Sequence, residues 1–460
     1  MNNFWDFSVW GTVNLVAVLL ISLLLANMCK RRLKILKNSL IPTSVLGGLI
    51  LFVINIVYKS ITKVSIWNTE FFGGNGNSVL EIITYHTLAL GFIAVSFKTN
   101  ENKLTKKRTI EIFNTGVTTV ATYLLQAVVG LGITIIASFI IKDLFVASGI
   151  LLPFGYGQGT GQALNYGSIY ETEYGFVGGK SFGLTIAALG FLSASIGGVI
   201  HLTILKRKNK IKLSSSDTAV LTERSIQDFN EIPMNGSMDK LTVQIAFVLF
   251  AYFLTHLFMF GICEILPGAK AVVYGFNFLI GVLFATLIKV ILNLLNKKAV
   301  IKRKYTNNFL MDRISNVCFD VMVVAGIAAI NLELLSSYWT IILILGVVGA
   351  FITYFYNRFV ARALFKGYEE EQFLAMYGML TGTASTGIIL LREVDGNFTS
   401  PASENLVYQN FPAMVFGFPI MLLATFAPKE PILTLIILTV FFTVMNIILF
   451  RSKIFKKRKK

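Results

Sequence analysis

Charged side chains are scarce in this sequence, and acidic ones are the scarcest. Only 14% of the 460 residues are charged, with 24 Asp and Glu against 41 Lys and Arg, whereas 55% are hydrophobic. A soluble domain needs more charge than this to cover its surface. The shortage excludes an ordinary soluble protein and indicates that lipid is the main solvent.

Cysteine and histidine are equally rare, with three of each. Cys29, Cys263 and Cys318 lie in separate apolar segments without metal-type spacing, which argues against a disulfide framework and a zinc site and favours packing roles. A polytopic membrane enzyme would need clustered acidic ligands or a nucleophile motif, and neither is present. No basic region precedes the first apolar run, so we expect a retained membrane helix rather than a cleaved signal peptide.

The net charge of +17 comes from short basic clusters between long apolar runs. This distribution is typical of cytosolic membrane loops rather than of nucleic-acid binding. Five basic residues lie in each of the stretches 30–37, 98–108, 206–212 and 297–304, and five more end the chain at 456–460. These clusters are expected to be cytosolic, which places the N-terminus outside.

Apolar runs long enough to cross a membrane fall into two sets. A transmembrane helix needs about 20 apolar residues. The polar stretch 206–240 is too charged to span and is interpreted as a cytosolic linker. The eleven predicted crossings lie near 8–29, 39–58, 79–97, 109–141, 175–205, 241–266, 271–296, 309–332, 335–357, 404–427 and 431–450.

Two further apolar segments, 144–170 and 370–395, are interrupted by glycine and hydroxyl residues that make poor lipid-facing helix. If either crossed fully, later basic clusters would lie outside the cell. Re-entrant hairpins from opposite faces keep those clusters inside. The sequence therefore predicts an all-α polytopic membrane protein of two inverted repeats, each with about five helices and one broken hairpin. The repeats are 1–205 and 241–427, and 428–460 adds an extra helix and a basic tail.

The first broken segment reads GYGQGTGQALNYGS from Gly155. Exposed carbonyls and amides of non-helical backbone can bind a sodium ion or a carboxylate at membrane depth. Tight helix packing would explain the small residues, but not a polar group at nearly every gap. The polar residues expected to line a solute site are Tyr156, Gln158, Thr160, Gln162 and Asn165.

The second broken segment, GMLTGTASTGIILLREVDG from Gly378, is rich in hydroxyls. Hydroxyl and carbonyl oxygens are hard ligands that suit Na⁺. The expected ion ligands are Thr381, Gly382, Thr383, Ser385 and Thr386. Arg392 either pairs with a substrate carboxylate or is a cytosolic-facing charge held by Glu393 or Asp395, and the sequence leaves both open.

Asp320 lies midway along a predicted helix, where an ionised carboxylate needs protein, water or a cation. It is a candidate cation ligand, with a protonated structural role as the alternative. His86 is expected to form an interhelical hydrogen bond. Three residues near helix ends are expected to be interfacial: Glu81, His201 and Glu264. Small residues at 183, 187, 190, 194 and 197 form one smooth helix face that is expected to pack closely.

These features favour a secondary transporter, in which two inverted halves expose a midplane site to either side in turn. A cation/proton antiporter that titrates Asp320 is the alternative. A receptor would need a larger soluble domain than residues 206–240 can form.

Two motifs resemble a known family. IPTSVLGGLI at 41–50 resembles the Ile-Pro-x-x-Val-x-Gly-Gly signature of the bacterial glutamate:sodium symporters, and GYGQGTG resembles their GGHGTG-type loop. The likeness runs from about residue 8 to 427. Gln158 replaces the family-type histidine, and ASTG at 384–387 differs from the expected Ala-Thr-Pro-Thr-type hairpin. The linker and the last helix are also atypical.

The resemblance implies a homodimeric, Na⁺-coupled importer of glutamate or a related anionic amino acid or dicarboxylate in a bacterial cell membrane. It implies no cofactor beyond the coupling ion. Carried over by position, the residues that hold solute and ions between two hairpin tips are Gly157, Gln158, Gly159, Thr160 and Gly161, with Gly382, Thr383, Ser385 and Thr386 opposite.

Overall fold

The computed structural model describes residues 3–98, 105–208, 230–234, 237–396 and 398–454. Most of the predicted linker, 209–229 and 235–236, and the basic cluster 456–460 lie outside the described residues. Within these ranges the chain is helical, and its only β-type pairing is an isolated bridge between Glu231 and Lys304. The predicted all-α class is confirmed.

The main helices follow the predicted order along the chain. They are α1 Phe7–Arg32, α2 Thr43–Thr62, α3 Gly76–Phe97, α4 Lys106–Ser138, α5 Leu151–Gln158, α6 Thr160–Tyr174, α7 Gly179–Arg207, α8 Lys240–Ile265, α9 Asn277–Lys297, α10 Asn308–Ala328, α11 Trp339–Leu364, α12 Glu369–Leu380, α13 Ala384–Arg392, α14 Ala402–Tyr408, α15 Asn410–Phe426 and α16 Pro431–Leu449. Short α-helices occupy Lys34–Asn38, Lys270–Gly275 and Arg451–Ile454, and 3-10 turns occupy Ile66–Asn68, Glu70–Phe72, Val146–Ile150, Pro267–Ala269 and Leu332–Leu335.

Nine helices in the described ranges are long and apolar enough to cross a membrane, and α14 with α15 makes a tenth if this pair, bent by 51°, forms one span. The sequence predicted eleven crossings. The difference is α10, which forms at the predicted place but carries Asp312, Arg313 and Asp320. Its charge makes it less apolar than the other spans.

The chain reverses direction at both predicted breaks. The rings of Phe154 in α5 and Tyr166 in α6 are stacked with centroids 3.9 Å apart. A Cβ built on Gly387 in α13 would lie 2.4 Å from the Ala375 carbonyl oxygen in α12. Residues twelve apart in a continuous helix would be about 18 Å apart. We call residues 151–174 the first hairpin and residues 369–392 the second hairpin.

The chain forms two compact units that each draw on both halves of the sequence. One comprises Met1–Leu19, Trp67–Lys103 and Thr218–Ala325, and the other comprises Leu20–Ile66, Leu104–Asp217 and Gly326–Lys460. We call the second the hairpin unit, because it contains both hairpins. The two predicted repeats show the same order of elements, but compact units do not test whether the repeats are inverted, and that division stays a prediction.

Each unit has its own apolar core. In the first unit, α3, α8, α9 and α10 contribute Ile93, Ala94, Phe97, Val248, Ala251, Ala285, Ile288 and Met311. In the hairpin unit, one buried cluster joins the second hairpin to α7 and α11 through Leu40, Leu202, Ala361, Phe373, Leu374, Tyr377 and Leu390. Burial of such side chains fixes the base of the second hairpin.

Candidate functional site

The tips of the two hairpins lie against each other. Gly159, at the tip of the first hairpin, has a φ of +81°. A Cβ built there would lie 3.4 Å from Thr383 Cγ2 and 3.7 Å from the Gly382 carbonyl oxygen. The structure therefore brings together Gly159, Gly382 and Thr383, which the sequence analysis assigned to one site.

Two helix N-termini meet at this contact. Gly159 is the N-cap of α6, and Thr383 is the N-cap of α13. Thr383 and Thr386 form a capping box, in which the Thr386 hydroxyl accepts from the Thr383 backbone N–H at 3.4 Å. The N-terminus of a helix carries partial positive charge and free N–H groups, so two of them together favour a negatively charged group.

The first arms of both hairpins end on α4. The Tyr123 hydroxyl donates to the Gly157 carbonyl at 3.0 Å, and Gln126 Nε2 donates to the Leu380 carbonyl at 3.0 Å. These carbonyls come from the last residues of α5 and α12, where helices have no internal donors. The sequence analysis missed both side chains. A polar stripe along α4 could have indicated them: Thr115, Thr118, Thr119, Thr122 and Gln126.

Gln162 has neither of its amide atoms hydrogen bonded. The residue lies one turn inside α6 with 1% of its surface exposed, and neither Nε2 nor Oε1 has a partner in the described part of the chain. Leaving a buried polar group without a partner costs about 1–3 kcal/mol. A position that bears this cost within a predicted site is a candidate for ligand binding.

Other predicted residues of the first hairpin have structural contacts. The Tyr156 hydroxyl donates to the Gly346 carbonyl at 2.5 Å and lies 2.9 Å from Ser193 Oγ. Thr160 is fully buried, and a Cβ built on Gly326 would lie 2.8 Å from its Cβ. Gln158 is half-buried at the tip, whereas Gly157, Gly161 and Asn165 are buried. Tyr156 and Thr160 therefore help to hold the hairpin in place.

Hydroxyls of the second hairpin lie at or beside its tip. Thr381 and Thr386 are fully buried, and Thr381 Oγ1 donates to the Tyr377 carbonyl at 2.6 Å. Thr383 is half-buried and Ser385 is exposed. The tip thus combines buried oxygens with an accessible surface.

Arg392 lies away from the hairpin tips. Arg392 ends α13, nine residues or about 13 Å from Thr383, and its guanidinium lies over the Phe398 ring at 5.6 Å. The Asp395 carboxylate, one of the two expected partners of Arg392, accepts hydrogen bonds from the backbone N–H groups of Thr399 and Ser400. Asp320 belongs to the first unit, whereas both hairpins belong to the hairpin unit. Its predicted role as a cation ligand stays a prediction.

The small-residue face of α7 packs on both hairpins, which confirms the predicted close packing. A Cβ on Gly183 would lie 2.4 Å from the Ala163 carbonyl oxygen in the first hairpin. A Cβ on Gly190 would lie 2.6 Å from the Thr381 carbonyl oxygen in the second. Any side chain at these positions would push a hairpin away from α7.

His201 is buried within the hairpin unit, and its predicted position at the membrane interface stays a prediction. It is 3% exposed, with Nδ1 2.7 Å from the Tyr354 hydroxyl and Nε2 2.9 Å from a carboxylate oxygen of Glu370. Arg358 pairs with both oxygens of the same carboxylate. Burial raises the pKa of the Glu370 carboxyl, but hydrogen bonds from His201 and Arg358 outweigh it and lower the pKa to about 2. These contacts anchor the start of the second hairpin to α7 and α11.

His86 follows its prediction. Its Nδ1 lies 2.6 Å from the Tyr252 hydroxyl, which joins α3 to α8. Glu264 is exposed in the last turn of α8, and Glu81 is half-buried near the start of α3.

The signature at 41–50 positions α2. A Cβ on Gly47 would lie 3.1 Å from Ser22 Oγ, and one on Gly48 would lie 2.8 Å from Ile327 Cβ. The paired glycines therefore let α2 approach α1 and the end of α10 closely.

A family model described as sodium/glutamate symporter matches residues 9–399, which include this signature and both hairpins.

The chain belongs to the sodium/glutamate symporter family. It is a sodium-coupled glutamate transporter with multiple membrane-spanning helices. The family match ends at residue 399, so α14, α15 and α16 lie beyond it, although the sequence likeness was expected to reach 427. No curated protein matches this symporter significantly.

Proposed function

We propose that the symporter binds its anionic solute and Na⁺ where the two hairpin tips meet, and that alternating access exposes this site to either side of the membrane. The contact of Gly159 with Thr383 carries the proposal, because it joins the two segments that the sequence assigned to solute and ion. The alternative of a cation/proton antiporter has no comparable support.

The first hairpin would hold the solute. The N-termini of α6 and α13 offer backbone N–H groups to a carboxylate. Gln162 adds a buried amide, and Gln158 is the half-buried polar side chain nearest the tip. Arg392 is left out of this proposed set, because it lies at the far end of α13.

The second hairpin would hold the ion. Na⁺ prefers hard oxygen ligands, and the tip supplies the Thr381, Thr383 and Thr386 hydroxyls and the Gly382 carbonyl. A cation beside two helix N-termini is unfavourable alone, but becomes favourable once a carboxylate lies between them. This mutual dependence would couple the binding of ion and solute.

The membrane potential would supply part of the driving force. Each net positive charge that moves inward gains about 2.3 kcal/mol per 100 mV. The basic clusters 30–37 and 297–304 support a cytosolic location for their loops and an external N-terminus in a bacterial cell membrane.

Uptake by proteoliposomes tests the proposed function. Purified protein is reconstituted, and labelled L-glutamate uptake is followed with an inward Na⁺ gradient and with K⁺ in its place. We expect accumulation only with Na⁺, increased by an inside-negative potential. Uptake that is indifferent to Na⁺, or sodium flux driven by a pH gradient without glutamate, would overturn the proposal.

The resemblance to the bacterial symporters also supports inverted repeats and a homodimer. Inverted repeats give the two hairpins equivalent roles from opposite faces. Mass measurement of the detergent-solubilised protein tests the dimer. Labelling by impermeant reagents from each side tests the inversion, with cysteines introduced at the exposed residues Glu173, in the first hairpin, and Lys366, just before the second.

A further inference from the structure

Gln162 differs from every other buried amide in the described part of the chain. Both of its polar atoms are without a hydrogen-bond partner, whereas Gln126, Asn357 and Asn405 each lack a partner only at the oxygen. A group that complements Gln162 must therefore supply both an acceptor for Nε2–H and a donor for Oε1.

The face of α6 that carries Gln162 is fixed by three tyrosines. Tyr166, Tyr170 and Tyr174 follow Gln162 at four-residue steps and so share its face. Their hydroxyls donate to carbonyls of α15, namely Met421 at 2.8 Å, Ala424 at 2.7 Å and Thr425 at 2.9 Å. These three hydrogen bonds tie the side of α6 that carries Gln162 to α15.

Gln162 also lies close to the tip of its hairpin. It follows Gly159 by three positions, and Gly159 is the residue that contacts Gly382 and Thr383 of the second hairpin. Gln162 is thus a buried amide near the contact of the two tips, and neither of its polar atoms has a partner among the described residues.

We propose that Gln162 recognises the amino-acid end of the solute, accepting from the α-ammonium at Oε1 and donating to the α-carboxylate from Nε2. A side-chain carboxylate alone would satisfy Nε2 but set its second oxygen against Oε1, because a carboxylate has only acceptors. Gln162 is therefore a specificity-determining residue that favours α-amino acids over dicarboxylates. This inference rests on the proposed solute site at the hairpin tips.

Competition by two analogues tests the assignment. Glutarate lacks the ammonium of glutamate, and 4-aminobutyrate lacks the α-carboxylate, so each loses one of the two bonds to Gln162. Inhibition of labelled L-glutamate uptake by each is measured for the wild type and for Gln162→Met, which keeps the length of the side chain. Loss of hydrogen bonds to charged groups predicts a 10- to 100-fold rise in KM for L-glutamate with little change in maximal rate. The binding of the two analogues should weaken less than the binding of glutamate. The preference for glutamate over either analogue should therefore fall by about 10-fold or more.

Gln244→Met is the matched control. Gln244 is also a fully buried glutamine, but its amide donates to the Tyr305 carbonyl and accepts from the Asn307 N–H. This variant should lose thermal stability without a change in the preference for glutamate over either analogue.

An unchanged preference in Gln162→Met would overturn the inference and show that water alone satisfies the amide. A wild type without sodium-dependent uptake would instead reject the proposed function. If Gln162→Met does not fold, Gln162→Glu is the deciding variant. Glutamate has the size of glutamine but has an oxygen in place of the Nε2 donor. A Gln162→Glu variant that folds should lose glutamate uptake, and wild-type KM values in this variant would contradict the assignment.

Discussion

Tyr123 and Gln126 lie three residues apart on α4 and donate to carbonyls of different hairpins. Tyr123 bonds the Gly157 carbonyl and Gln126 bonds the Leu380 carbonyl. One helix therefore holds the ends of both first arms. Since the two carbonyls lie next to the breaks, we expect their orientation to affect the binding site.

Removal of the Tyr123 hydroxyl should impair the site more than an equivalent loss elsewhere. Tyr123→Phe leaves the Gly157 carbonyl without its donor, which should cost about 1–3 kcal/mol and raise the KM for glutamate. The control is Tyr356→Phe, which removes a 2.9 Å bond to Asn446. Thermal unfolding and uptake are measured for both. Equal KM values in the two variants would contradict a role for Tyr123 at the site.

Gly159→Ala should abolish most transport. The backbone of Gly159, with φ +81° and ψ −171°, lies in a region that only glycine adopts readily, and a side chain there costs about 1–3 kcal/mol. The added methyl would also lie against Thr383. Gly132→Ala is the control, because a Cβ in that part of α4 meets no described atom within 4 Å. The control should transport normally and unfold at an equal or higher temperature.

Thr383→Val should lower the sodium affinity of glutamate uptake. The substitution keeps the side-chain shape but removes a proposed ion ligand and the cap of α13, and loss of such a cap costs about 1 kcal/mol. We expect the half-saturating Na⁺ concentration to rise about 10-fold. In Thr439→Val the lost hydroxyl bonds only the Leu435 carbonyl within α16. If both variants keep the wild-type sodium dependence, Thr383 is not an ion ligand.

Glu370→Gln should destabilise the second hairpin by about 3 kcal/mol, because it leaves Arg358 buried without its carboxylate partner. The control Glu333→Gln removes an ion pair with Lys59 whose carboxylate is 71% exposed, and should cost less than about 1 kcal/mol. Thermal unfolding in detergent measures both. Similar losses would show that the buried pair is no more important than the exposed one.

The lowered pKa of Glu370 also predicts that the folded protein loses stability in acid. Its pKa in the folded protein, about 2, lies below the ordinary value of 4.5. The stability it contributes is therefore complete above pH 4.5 and is lost as the pH falls from 4.5 towards 2. The unfolding temperature of Glu370→Gln should fall less over this range than that of the wild type. Parallel pH profiles of the two proteins would refute this contribution.

The helices and the breaks could be predicted because their signals are local. A run of about 20 apolar residues requires a helix in lipid, and the glycines between Gly155 and Gly167 disfavour a continuous one. The charge clusters then required 144–170 to turn back, which the stacking of Phe154 on Tyr166 confirms.

The partners of buried polar groups could not be predicted in the same way. His201 and Glu370 are 169 positions apart, and nothing near His201 in the sequence indicates a carboxylate. The position of His201 near the end of α7 suggested an interfacial side chain. It did not indicate that α11 and α12 cover this side chain. Arg392 shows the opposite problem. It is close to the tip residues in the sequence, but sequence position alone did not show that it lies at the far end of α13.

The contact between the two tips also has a consequence for biogenesis. Gly159 and Thr383 are 224 positions apart (383 − 159), so ribosomes working at about 5–20 residues per second need roughly 10–45 s to make the second tip after the first. Until α10 and α11 are made, α4 and α7 are the long helices that contact the first hairpin and can shelter its polar tip from lipid. A nascent chain arrested before residue 308 should therefore be a preferred target of membrane proteases or insertion chaperones.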